Sequence, residues 1–200
     1  MALLFLFLFL GSISFIFLFW RRLKEDYLSF QIFSAAFYQL AGIILGVILS
    51  YYYLRTWIFW FSFLGAMFGL LIGVFRYKLK IVESFEASFA GLLVLLSWIL
   101  LGLNFFFSNF LYYSLFLISL LMIGLFLFLD KHYKFFSWYK SGRIGFSGFA
   151  TASVFFIILS LLAIICRDML FFLGTKDIVL ATGLAIFFSF FLYIISRKGL

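Results

Sequence analysis

Proline is absent from this 200-residue chain, cysteine and histidine occur once each, and Asp and Glu together number seven. Each scarcity closes a route. Without proline, no pyrrolidine ring is present to kink a long helix. A lone cysteine, Cys166, excludes an internal disulfide and any paired-cysteine metal or redox motif. Cys166 falls at the end of an apolar run and reads as an inert membrane-boundary residue. A lone histidine, His132, cannot build a zinc site with one distant thiol, so no metal is expected. No Ser–His–Asp set can assemble inside the apolar runs. No P-loop or GxGxxG occurs in a strand-to-helix setting, and no cofactor is expected.

What remains is overwhelmingly apolar. Hydrophobic residues make up 68% of the chain and charged residues 11%, with a mean hydropathy of +1.27. The apolar residues fall into seven runs, about 2–20, 27–54, 56–75, 85–103, 110–129, 144–165 and 178–196. A helix rises about 1.5 Å per residue, so about 20 residues cross about 30 Å of hydrocarbon. A charge at a span centre costs about 2.5–3.5 kcal/mol on insertion, so the gaps between charges delimit the spans. The fold class expected is an all-α integral membrane protein, a single polytopic domain of seven transmembrane helices.

The distribution of cations orients the spans. Arg21, Arg22, Lys24, Arg76, Lys78, Lys80, Lys131, Lys134, Lys140, Arg143, Arg197 and Lys198 fall on one side. Only Arg55, Arg167 and Lys176 fall on the other. Cytoplasmic loops carry the excess of Lys and Arg, and the loops here are short, where that rule works best. The N-terminus is therefore expected outside and the C-terminus in the cytoplasm. The first run lacks a basic leader and a small-residue cleavage site, and reads as a retained span. The net charge of +8 suits basic loops lying against anionic lipid, and nucleic acid is not an expected partner. The 35 phenylalanines and the missing proline are what A/T-biased coding produces, so they read as composition and not as an aromatic binding site.

Small residues mark where helices meet, because helices in lipid gain more from close backbone approach than from hydrophobicity. Gly42 and Gly46 lie four apart in the second span, and Gly65, Gly69 and Gly73 in the third. Positions four apart share one helical face. The expectation is two packing faces that meet other helices and could meet each other.

No Asp, Glu, Lys or Arg falls near a span midpoint, which argues against a proton- or ion-coupled transporter. The uncharged polar residues inside spans are Gln31, Gln39, Ser97 and Thr151. Asn104, Asn109, Tyr112 and Tyr113 surround the loop between the fourth and fifth spans. Tyrosines there suit interfacial anchors and asparagines suit helix ends. Glu83 and Glu86 open the fourth span, where acidic groups favour a helix N-terminus.

The order of certain segments resembles the prolipoprotein diacylglyceryl transferase family, and the resemblance covers most of the chain. Its pieces are Trp20-Arg21-Arg22, Ala41-Gly42-Ile43-Ile44, Ser62-Phe63-Leu64-Gly65-Ala66-Met67-Phe68-Gly69, Leu111-Tyr112, Gly145-Phe146 and Arg197-Lys198. The resemblance implies a seven-span bacterial inner-membrane protein. It also implies transfer of diacylglyceryl from phosphatidylglycerol to a lipobox cysteine. The implied partners are that lipid and prolipoprotein signal peptides, with Asn104 and Tyr112 lining an outer cavity. The chain departs from the family where the family's chemistry resides. Leu64 stands at the family's histidine. Leu45-Gly46-Val47 stands for its Gly-Ala-Arg, Tyr112-Tyr113 for its Tyr-Glu, and Phe155 and Leu159 for its late arginine and glutamate. Of the Gly-Arg-x-Gly-Asn signature only Asn104 has a counterpart. Set against the family, the chain is expected to be shorter, lacking the outer head region and the segment before the first span. An imidazole can take a proton and a guanidinium can bind phosphate; Leu, Val and Phe do neither.

Three readings therefore stay open: a divergent transferase, a non-catalytic membrane protein that binds lipid or signal peptide, and a small transporter subunit.

Overall fold

The computed structural model describes residues 2–108, 110–133, 145–165 and 175–198. Among these residues there is no strand, and seven helices are long and apolar enough to cross a membrane. They are α1 (Ala2–Leu23), α2 (Ser29–Tyr53), α3 (Ile58–Tyr77), α4 (Ile81–Phe107), α5 (Phe110–His132), α6 (Phe146–Ile165) and α7 (Thr175–Lys198), with a 3-10 turn at Arg55–Trp57. Most of the large exposed side chains are Phe, Leu, Ile, Val and Tyr. That is a surface suited to hydrocarbon rather than water. Serines inside the helices satisfy themselves locally: Ser12, Ser62, Ser97, Ser114 and Ser189 each donate to the carbonyl four residues earlier. An unpaired hydroxyl in lipid would be costly, and this bond removes it.

Several helix ends lie beyond the bounds that charge alone suggests. α1 continues past Trp20 to Leu23, and α4 starts at Ile81 rather than 85 and runs to Phe107. The extra turns carry charges, and two of these, Arg22 and Glu83, are paired. Arg22 meets Glu86 and Asp130, and Lys80 meets Glu83. A neutralised charge no longer forces the helix to end. α3 and α4 stop on Lys78 (φ 55°) and Ser108 (φ 49°), left-handed residues whose N–H groups bond back to Val74 and Asn104. This is the usual αL stop, made here without glycine. The sequence positions Asn109, Lys134, Lys140, Arg143, Cys166 and Arg167 lie outside the described residues.

Three antiparallel seams build the body: α2 on α3, α1 on α4, and α6 on α7, with α5 against α4. The α2–α3 seam is backbone on backbone. A Cβ on Gly42 would meet the Gly65 carbonyl carbon at 2.9 Å, and one on Gly65 would meet that of Gly42 at 2.9 Å. Gly69 rides on Gln39 Cα (2.8 Å) and Gly73 on Ala35 Cα (2.8 Å). The α1–α4 seam works differently, with rings seated on glycines. Phe15 fills the space over Gly91, Phe7 that over Gly102, and Trp98 that over Gly11. The remaining interior is aromatic. Phe85 stacks on Phe149 at 4.5 Å, and Phe156 is ringed by Trp60, Phe63, Phe155 and Phe188.

Candidate functional site

The two ends of the bundle carry different chemistry. At one end the C-termini of α1 and α5 meet the N-termini of α4 and α6 around Glu86. Its carboxylate, 2% exposed, accepts from Arg22 (2.8 Å), from the Gly145 backbone N–H (2.9 Å) and from the Ser147 hydroxyl. Arg22 reaches Asp130 with its other nitrogen at 2.8 Å. Gly148 lets α6 approach this closely, since a Cβ there would lie 2.8 Å from Glu86 Cα. Alongside, the Tyr27 hydroxyl donates to Glu83 at 2.8 Å and accepts from the Lys80 N–H at 3.0 Å. Burial raises the Tyr27 phenol above its ordinary value, and the hydrogen bond to Glu83 raises the Lys80 ammonium. With three donors on it, Glu86 has little capacity left to act as a base. It is a four-helix clasp. Its sequence position suggests only a favourable helix N-terminus; the structure adds a buried ion pair. The arginine partner lies 64 residues away, beyond the reach of local pattern.

At the opposite end the Trp60 indole N–H donates to the buried Asp177 carboxylate, joining α3 to α7. Lys176 sits over Trp57 at 5.6 Å and Arg55 over Tyr51 at 4.7 Å. Between the two ends Gln39 donates its amide to Ser88, tying α2 to α4. The Gln39 carbonyl oxygen and the Ser84 and Thr151 hydroxyls are buried without a partner among the described residues. Gln31, Gln39 and Thr151 do not form one polar passage. Gln31 accepts from the Leu28 N–H at the start of α2, while Gln39 is consumed on α4.

The residues that the family resemblance brings forward are scattered. Asn104 lies inside the last turn of α4, half-buried, and its carbonyl accepts from the Ser108 N–H at 2.7 Å. Tyr112 is buried, its ring 5.8 Å from Phe107. The two share no hydrogen bond, and neither lines the groove between α6 and α7 or the small cavity between α1 and α4. Leu64 is 60% exposed on the outer face of α3. Phe155 lies inside against Phe89 and Phe156, and Leu159 is buried. Leu64 thus faces away from the interior that the other two occupy. Among the described residues no three of His, Cys, Asp and Glu gather to hold a metal ion.

A groove of about 490 Å³ lies between α6 and α7, lined by Ile157, Ser160, Leu161, Thr182, Ala185, Ile186, Ser189 and Phe190. Its hydroxyls bond across the seam: Ser160 with Thr182 (2.8 Å) and Ser189 with Ser153 (2.5 Å). With those groups paired, the groove offers chiefly methyl, methylene and ring surface. Nothing in the sequence marks this groove, because its lining reads as ordinary span residues.

Comparison with protein families, with curated proteins and with solved structures finds no match to this chain.

Proposed function

We propose that the chain is a non-catalytic lipid-binding protein of the bacterial plasma membrane, a divergent relative of the prolipoprotein diacylglyceryl transferases. It crosses the membrane seven times with its basic end in the cytoplasm. The groove between α6 and α7 carries this reading. It lies along the middle of two membrane-length helices, where the available occupants are apolar, and its volume falls in the range of ligand sites. Its occupant is one acyl chain of a membrane phospholipid, entering sideways from the bilayer. Loss of chemistry follows from the side chains at the family's reactive positions, which are aliphatic or aromatic. Glu86, an enclosed carboxylate, already accepts from three donors.

The test is purification into nanodiscs, lipid extraction, and an assay of radiolabelled glyceryl transfer from phosphatidylglycerol to a lipobox peptide. The expected result is retained phospholipid, reduced by Ala185→Phe, with no transfer above a heat-killed control. Folded protein that holds no lipid overturns the binding reading. Measurable transfer overturns the non-catalytic one and restores the divergent enzyme.

A further inference from the structure

We infer that the basic end of the α2–α3 seam is a binding site for the phosphate of an anionic phospholipid, distinct from the α6–α7 groove. The glycine seam builds it. Gly69 lies against the Tyr38 backbone and Gly73 against Ala35, so the last turn of α3 is held against the α2 turn that carries Ser34 and Tyr38. Tyr77 consequently projects between the helices. Its ring packs 5.8 Å from Phe30 and 6.4 Å from Tyr38, and its hydroxyl lies among Ser34, Tyr38 and Arg76. One guanidinium and three hydroxyls therefore converge at one end of a membrane-spanning helix pair.

Two further observations select the ligand. Arg76 is exposed and has no carboxylate within ion-pair distance among the described residues, whereas its neighbour Lys80 is held by Glu83. The guanidinium fork is left for an outside anion, and it matches phosphate geometry with two parallel bonds. The polar notch is also walled by grease. Phe30, whose ring packs on Tyr77, is itself exposed, as is Phe75 next to Arg76 in the chain, so an anion that carries acyl chains fits where a free phosphate would meet unfavourable surroundings. Lys78, exposed at the helix stop, adds positive charge for a headgroup with net negative charge.

The experiment uses the full chain in nanodiscs of mixed phosphatidylglycerol and phosphatidylcholine, with bound lipid counted by native mass spectrometry. Arg76→Gln is compared with Arg21→Gln, an equal charge loss at an exposed arginine on the same end, and with Tyr77→Phe, which removes only a hydroxyl. The expected result is at least a fivefold loss of retained phosphatidylglycerol in Arg76→Gln and a smaller loss in Tyr77→Phe. Arg21→Gln should stay near the parent, and Arg76→Lys should only partly restore binding. Equal losses in Arg76→Gln and Arg21→Gln would reduce the site to bulk charge and overturn the inference. So would equal retention of phosphatidylcholine. Ala185→Phe in the α6–α7 groove should leave this binding intact, so the two lipid readings fail separately.

Discussion

Arg22 Nη2 lies 2.8 Å from Glu86 Oε1, and the same guanidinium holds Asp130 with Nη1 at 2.8 Å. One cation thus answers two carboxylates, and it ties the end of α1 to α4 and α5. Removing one member of a buried pair costs about 3–5 kcal/mol, because a charge is left without compensation. Arg22→Met leaves two carboxylates facing each other and is expected to cost about that much. Asp130→Asn leaves the Arg22–Glu86 contact in place and should cost clearly less. Unfolding of both variants in bicelles by thermal or denaturant titration checks the order.

The α2–α3 seam has no room for side chains at its glycines. Gly42→Leu or Gly65→Leu must separate two backbones, since a Cβ at either position already meets the opposing carbonyl. Overpacking of a well-fitted core costs about 1–3 kcal/mol or more, and leucine here demands more than one added methylene. A Cβ added at Gly124 or Gly183 would have nothing within 4 Å. Gly124→Leu and Gly183→Leu are therefore expected to leave the unfolding midpoint unchanged or slightly raised.

Phe15 is fully buried over Gly91 on α4. In a water-soluble core, truncating such a ring costs about 3–5 kcal/mol, the sum of a transfer and a cavity contribution. In a bilayer the separated helix would expose Phe15 to lipid tails as apolar as its native site, so the transfer contribution vanishes. Phe15→Ala is expected to cost less than about 3 kcal/mol in bicelle unfolding, since only the cavity contribution is left. A full water-type penalty would show that α1 leaves the hydrocarbon when the protein unfolds.

Trp60 provides a donor to a buried carboxylate on α7. Hydrogen bonds to charged groups contribute about 1.5–3 kcal/mol. Trp60→Phe keeps a ring against Phe156 but leaves Asp177 without the indole, so a loss of roughly that size is expected. Asp177→Asn keeps an acceptor and should be milder. The comparison can be read by unfolding together with the Trp60 contribution to emission.

The number of helices is legible in the sequence because span length and charge spacing are properties of the linear chain. The glycines at positions 42, 46, 65, 69 and 73 mark faces for the same reason, as a four-residue step is visible without knowing the partner. Phe15, Phe7 and Trp98 against their glycines on α4 and α1 are not legible, since one glycine beneath one ring has no period. Nor is the Glu86 clasp, whose members come from four separate helices. Asp177 carries no local signal of its contact with Trp60, which comes from α3. Asn104 lies, by charge spacing alone, just beyond the end of the fourth span. Paired charges at the start of α4 and a serine in the left-handed region after Phe107 shift both ends of that helix outward, and Asn104 falls within it.

The principal partner of α1 is α4, not its neighbour in sequence. During synthesis α1 therefore emerges before the surface it needs exists. At about 5–20 residues per second, roughly ten seconds pass before α4 is complete. In that interval the rings of α1 lack the glycines of α4 on which they seat, while α2 and α3 can already close into a hairpin. Assembly of this protein thus starts from the second and third helices, and the first segment made waits for the fourth before it is seated.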